Sequence, residues 1–170
     1  MTLRLILVRH AKSDWSDPVG GDHARPLNAR GRLAAPRMGR WLAAKGALPG
    51  EALVSTATRT RETWALMAPE LPGAPGPRFL DALYHAGPDV MLRALQTAQA
   101  DTVLMLGHNP GIAAFARWLL HEPPKHARFA DYPTCATLVA RFDVADWGGV
   151  GPARGAAEAF AVPRDLPAED

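Results

Sequence analysis

The chain predicts a three-layer α/β fold: helices on both faces of a mainly parallel central sheet with an antiparallel edge. Three observations carry this expectation. Short apolar runs of strand length recur at Leu3–Val8, Ala52–Ser55 and Thr102–Leu106, bounded by turn residues. Segments with apolar residues at helical spacing lie between those runs, so strands and helices alternate. Two late apolar stretches, Thr134–Phe142 and Glu158–Val162, are separated by a Gly-rich turn around residues 147–151 and no helix, which is how antiparallel edge strands are joined.

Taken in order, the first run is Leu3-Arg4-Leu5-Ile6-Leu7-Val8, and it ends in Arg9-His10. In open α/β sheets ligands bind at the carboxyl ends of strands, so this pair is the first candidate site. Residues 12–25 follow as a Gly- and Asp-rich loop carrying Asp14, Asp17, Pro18 and Asp22, long enough for a functional rim. Asn28 is placed to cap a helix that runs to about Lys45 and closes at Gly46. Pro36 objects to that helix, because an interior proline costs about 3 kcal/mol. The second run ends in Ser55-Thr56-Ala57-Thr58, and Arg59 to Ala68 reads as a helix stopped by Pro69. Residues 71–77 form a Pro/Gly-rich loop, residues 78–80 a brief strand and residues 83–87 a turn. Pro88 opens a helix to about Gln99. Thr102–Leu106 then repeats the opening design, ending in Gly107-His108-Asn109-Pro110-Gly111 before a helix over residues 112–120. The tail, residues 163–170, is expected to fray.

Composition bounds the rest. A chain of 170 residues with 48% apolar and 21% charged side chains fits one domain over 1–170 with a well-buried core. The formal net charge of +2 makes no case for nucleic acid. The single cysteine, Cys135, rules out an intrachain disulfide and a cysteine zinc site, in keeping with a reducing compartment. No apolar run reaches the roughly 20 residues of a membrane span, and the start lacks a signal-peptide pattern. The expectation is a cytoplasmic, monomeric domain without a membrane partner.

The chemistry rests on residues that the topology can bring together. If the first and third runs are neighbours, His10, His108 and Arg9 meet at one sheet edge, and Arg59, opening a helix after the second run, can reach them. Two histidines and two arginines there suit a tetrahedral dianion, since guanidinium forks match phosphate oxygens. Plainer readings exist: Arg59 and Arg61 on a solvated helix face with Glu62, and residues 107–111 as a tight turn. A metal on His10 and His108 lacks a clear third ligand. Neither a Gly-x-x-x-x-Gly-Lys-Ser/Thr loop nor a Gly-x-Ser-x-Gly elbow is present.

Four segments in order resemble one family. Leu7-Val8-Arg9-His10-Ala11 resembles the Arg-His-Gly signature of the histidine phosphatase superfamily, which includes the cofactor-dependent phosphoglycerate mutases. Arg25-Pro26-Leu27-Asn28-x-Arg30-Gly31 is similar to the segment opening its first helix. Residues 55–63, Ser-Thr-Ala-Thr-Arg-Thr-Arg-Glu-Thr, are similar to its second-arginine motif, and Gly107-His108-Asn109-Pro110-Gly111 to its second-histidine motif. Short length, Ala11 in place of the signature glycine, Leu83-Tyr84 and Gly-His-Asn-Pro resemble the SixA-type phosphohistidine phosphatase branch. The resemblance implies a phosphoglycerate mutase-like fold, His10 as a nucleophile phosphorylated in turnover, and Arg9, Arg59 and His108 around the phosphoryl group. It implies no metal and no cofactor.

One part of the pattern is missing. Mutase-like members carry a glutamate after the second-arginine helix as proton donor; here the counterpart, residues 81–87, offers His85, with Asp81 as second candidate and Asp14, or another acid of the 12–25 loop, behind it. The acid-phosphatase branch would show His-Asp where this chain has His108-Asn109. A poor alkoxide leaving group needs a placed acid; an imidazole needs less help. The gap therefore favours a phosphohistidine-containing protein as substrate. The alternatives are a small phosphorylated ester and a non-catalytic phosphate-binding signalling module.

Overall fold

A computed structural model of the chain describes residues 2–16 and 20–168; Asp17 and Pro18 of the expected rim loop, and the last two residues of the tail, lie outside them. Strands β1 (Leu3–Arg9), β2 (Glu51–Ser55), β3 (Pro77–Leu80), β4 (Thr102–Gly107), β5 (Thr137–Phe142) and β6 (Ala156–Ala161) form one sheet in the order β3-β2-β4-β1-β5-β6. The first four run parallel, and β5 and β6 pair antiparallel beyond β1.

Alternation along the strands builds the layers, because successive side chains point to opposite faces. Leu3, Leu5 and Leu7 of β1, with Val103 and Met105 of β4, enter a cluster with Met91, Leu95, Ile112 and Phe115. Those partners lie on α3 (Pro88–Leu95) and α4 (Gly111–Leu119). Ile6, Val8, Leu104 and Leu106 enter the opposite cluster with Met38, Leu42, Trp64 and Met67, from α1 (Ala29–Ala44) and α2 (Thr58–Met67). Both faces of the central strands are thus covered, as the unbroken apolar runs require.

Three expectations are corrected. Helix α1 passes straight through Pro36; Ala35, Met38 and Leu42 of the same helix are fully buried, and this packing outweighs the local cost of the proline. Strand β5 begins only at Thr137, because Cys135 takes a left-handed backbone (φ 64°) and the Ala136 N–H turns back to the Pro133 carbonyl. The tail does not fray over its described part: residues 163–165 form a 3-10 turn, Leu166 is buried, and Arg37 Nη2 donates to the carbonyls of Leu166 and Pro167 at 3.2 and 2.8 Å.

The connectivity sets the position of the site. Strand β1 leaves the sheet centre through α1 to β2, and the chain returns through α3 to β4 beside β1, so a crevice opens between the carboxyl ends of β1 and β4. Arg9 pairs with Gly107, and the His10 N–H donates to the Gly107 carbonyl at 3.1 Å. Among the described residues no helix is long and apolar enough to cross a membrane.

Candidate active site

Two glycines pin the loops that rim the crevice. A Cβ on Gly31 would sit 2.2 Å from the Lys12 carbonyl oxygen, so the start of α1 packs directly on the backbone leaving β1. The Asn28 side chain caps that helix on the Gly31 N–H at 2.9 Å, while the Asn28 N–H donates to the same Lys12 oxygen. On the other side, a Cβ on Gly111 would sit 1.8 Å from the Ala86 carbonyl oxygen. The start of α4 is thereby locked against the turn that carries His85, whose own backbone is left-handed (φ 56°).

Between these anchors lies a cavity of about 270 Å³ lined by Arg9, His10, Arg59, His85 and His108, together with Asp22 and Arg25. The His10 and His108 rings are 5.3 Å apart between centroids. Both are almost fully buried. His10 Nδ1 lies 2.7 Å from the Ala11 carbonyl oxygen; a carbonyl only accepts, so Nδ1 carries the proton and Nε2 keeps a free lone pair. That carbonyl is itself oriented, because the Ala11 N–H donates to Thr63 Oγ1 at 3.0 Å and Thr63 donates onward to the Arg59 carbonyl. Helix α2 thus steadies the backbone segment whose carbonyl fixes the His10 tautomer.

His108 is held by its other nitrogen. Its Nε2 lies 2.8 Å from Ser55 Oγ at the end of β2, while its Nδ1 is buried without a partner among the described residues. Burial pushes both histidines down to about 3; the arginines add to this, and the Ala11 contact partly opposes it for His10. Both rings are neutral at pH 7. Burial is the larger cause, whereas the sequence points first to the arginines.

The guanidiniums are tethered at one edge and open at another. Arg9 Nη1 donates to the Tyr132 carbonyl at 3.1 Å, and Arg59 Nη1 and Nη2 donate to the Asp22 carbonyl and carboxylate at 2.8 and 3.1 Å. The Nε atoms of Arg9 and Arg59 are buried and unpartnered among the described residues. With His108 Nδ1, three buried polar groups at one cavity wait for a partner. Buried donors in folded proteins are nearly always satisfied, so their concentration here marks a place for an acceptor-rich ligand.

Asp22 is the residue that sequence reasoning did not single out. Its carboxylate takes hydrogen bonds from Tyr84 and Arg59 on one oxygen and from Arg25 on the other. The Tyr84 hydroxyl, then Arg25 and Arg59, hold it well below the usual carboxylate range. It is therefore an ionised organiser of Arg59. Arg25 was also missed: it is buried, stacks 3.4 Å over the exposed Trp15 ring and donates to Ser13 Oγ. The available signal was Asp22-x-x-Arg25 in a loop already read as a rim.

The structure separates the candidate acids. His85 reaches the cavity, with Nε2 3.7 Å from Asp22 Oδ2 and its ring 6.3 Å from that of His108. Asp81 does not line the cavity; it is exposed and opens a short 3-10 turn. Asp14 is likewise outside, bonded to Ser16. Among the described residues, no group of three or more His, Cys, Asp or Glu side chains is arranged to hold a metal ion.

Comparison with known proteins agrees with this geometry. Residues 5–78 match the family model described as histidine phosphatase superfamily (branch 1). The uncharacterised protein Rv1276c of Mycobacterium tuberculosis (strain H37Rv) is 34% identical over 164 residues, spanning 92% of this chain and 100% of the relative. A structure from Nakamurella multipartitia designated phosphohistidine phosphatase SixA is 28% identical, with a TM-score of 0.75 over 96% of this chain and 97% of that one. One from Agrobacterium tumefaciens with the same designation is 25% identical, with a TM-score of 0.74 over 95% and 98%. Matched along nearly their whole length, in sequence and in fold, to such proteins, the 170 residues belong to the histidine phosphatase superfamily, in its SixA-type branch.

Proposed function

We propose that this chain is a phosphatase that transfers a phosphoryl group from a phosphohistidine on a protein to its own His10 and then to water. The observation that carries the reading is the fixed ring of His10. Its Nδ1 proton is committed to the Ala11 carbonyl, so Nε2 stays unprotonated at a cavity bordered by Arg9, Arg59 and His108.

In the first step the Nε2 lone pair attacks phosphorus in line, and the P–N bond to the substrate imidazole breaks. The departing ring keeps the bonding pair and takes up a proton. Arg9 and Arg59 neutralise the phosphoryl oxygens through donors that otherwise lack acceptors. With the Ser55 hydroxyl as donor to His108 Nε2, the His108 proton sits on Nδ1, which has no other partner among the described residues. In the second step water attacks the phosphorus, the P–Nε2 bond breaks, and inorganic phosphate leaves.

The P–N substrate is supported by the only carboxylate bordering the cavity among the described residues. Asp22 is held ionised and cannot protonate an alkoxide. His85 remains as a proton donor at the rim. Such a donor suits a leaving imidazole better than an alkoxide.

The test is to incubate the protein with a protein carrying ³²P-phosphohistidine and quench in alkali, where phosphohistidine survives. Label should appear on His10 and be absent in His10→Ala. Absence of label on the wild type, together with no phosphate release, would leave only phosphate binding. Preferential turnover of sugar phosphates or p-nitrophenyl phosphate would move the substrate to small esters.

A further inference from the structure

A second, larger depression of about 320 Å³ adjoins the first and shares Lys12 and Thr134 with it. Its walls carry Lys12, Arg30, Arg37 and Arg164, Leu33 stands exposed on its edge, and no carboxylate lines it among the described residues.

This groove gathers cations that no carboxylate neutralises among the described residues, whereas several arginines elsewhere are paired. Arg4, Arg40, Arg78, Arg93, Arg128 and Arg141 each have a carboxylate within ion-pair distance. Lys12, Arg30 and Arg164 have neither an ion pair nor a side-chain hydrogen bond among the described residues. Arg37 spends Nη2 on the tail carbonyls and keeps a buried Nε without an acceptor. Four cations on one concave wall repel one another, and a groove of one sign focuses its field and draws anions to it. Leu33 adds an apolar contact at the edge, the mixture found where a peptide docks.

We propose that this groove binds acidic side chains flanking the phosphohistidine of the partner protein, so that the substrate is held at two places: its phosphoryl group at His10 and its acidic neighbour on Arg30 and Arg164. This rests on the phosphohistidine reading above. Lys12, on the wall common to both depressions, makes the positive surface continuous between them. The chemistry selects an acidic protein segment over a neutral one, and a protein over a free phosphorylated amino acid.

The test uses the full chain and two short fluorescent histidine peptides, one flanked by aspartates and one by serines. Binding is read by fluorescence anisotropy at low salt, independently of turnover. The aspartate peptide should bind about tenfold more tightly than the serine peptide, and Arg30→Glu/Arg164→Glu should erase the difference, with Arg30→Gln/Arg164→Gln in between. In parallel, the ratio of kcat/KM for the phosphorylated aspartate peptide to that for p-nitrophenyl phosphate should fall about tenfold in the double reversal. Equal binding of the two peptides, or a preference that survives both double variants, overturns the proposal. Single-stranded DNA binding as tightly as the aspartate peptide and displacing it also overturns it, since the groove would then be a general polyanion surface. If the phosphorylated peptides are not hydrolysed while p-nitrophenyl phosphate is, the phosphohistidine reading fails by itself, and the anisotropy still decides the groove.

Discussion

His10 and His108 end adjacent parallel strands at neighbouring heights, yet they are held by opposite nitrogens. His10 donates its Nδ1 N–H to a backbone carbonyl and leaves Nε2 bare. His108 is tied at Nε2 by a serine hydroxyl and leaves Nδ1 without a partner among the described residues. One ring thereby offers a lone pair at Nε2, and the other leaves Nδ1 open, an N–H when the Ser55 hydroxyl is the donor. The β-strand end alone makes a histidine neither nucleophile nor donor; the partner of the far nitrogen decides. Those partners come from different places: Ala11 from the residue after β1, and Ser55 from the end of β2.

The contrast is most sharply broken at His10, the proposed nucleophile. His10→Ala should abolish turnover and phosphoenzyme, a loss of about 10⁵-fold or more in kcat, measured by single-turnover phosphate release. His108→Ala removes only a donor, so kcat should drop about 10²- to 10³-fold while slow phosphorylation of His10 persists. Ser55→Ala leaves both rings but frees His108 to exchange tautomers; kcat should fall about tenfold with KM little changed, and Ser55→Thr should restore most of it. Asp22→Asn weakens the hold on Arg59 while sparing both histidines. It should raise KM severalfold with kcat less affected, read from steady-state kinetics.

The two rings behave alike in one respect. Both have folded-state values near 3, against about 6.5 when exposed. Between those values the unfolded chain binds protons that the folded chain refuses, so stability is complete above about 6.5 and is lost as pH falls towards 3. Tm should decline from pH 7 to pH 4, and His10→Gln/His108→Gln should flatten that decline. The paired carboxylate of Asp22 acts only lower, as pH drops below its unfolded value of 3.8, so the two effects separate on the pH axis.

Much of this was legible in the chain because it is local or periodic. The apolar run over residues 5–8 of β1 announces a strand buried on both faces, and the histidine after the strand is placed by strand geometry alone. The repeat of that design at β4 supplies the second histidine, and the family resemblance supplies Arg59. What stayed hidden depends on contacts far apart in sequence. Asp22 gains its role only when Arg59 and Tyr84 fold onto it. Ser55 looks like any turn serine until β4 is laid beside β2. The anchoring of the tail depends on Arg37 of α1 reaching Leu166 and Pro167, and the tolerance of Pro36 depends on what packs around the helix. Local chemistry of the residues themselves predicts neither.

Cys135 is hydrogen-bonded to the backbone that carries His10. Its N–H donates to the carbonyls of both Arg9 and His10, its side chain is fully buried, and burial pushes its thiol up to about 12. Thiol reagents at neutral pH should therefore label it slowly in the native fold. The chain thus contains its own molecular clock: with one thiol in the whole sequence, the rate at which a reagent such as iodoacetamide labels Cys135 counts the openings of the strand end that carries His10, without any probe being added to the protein.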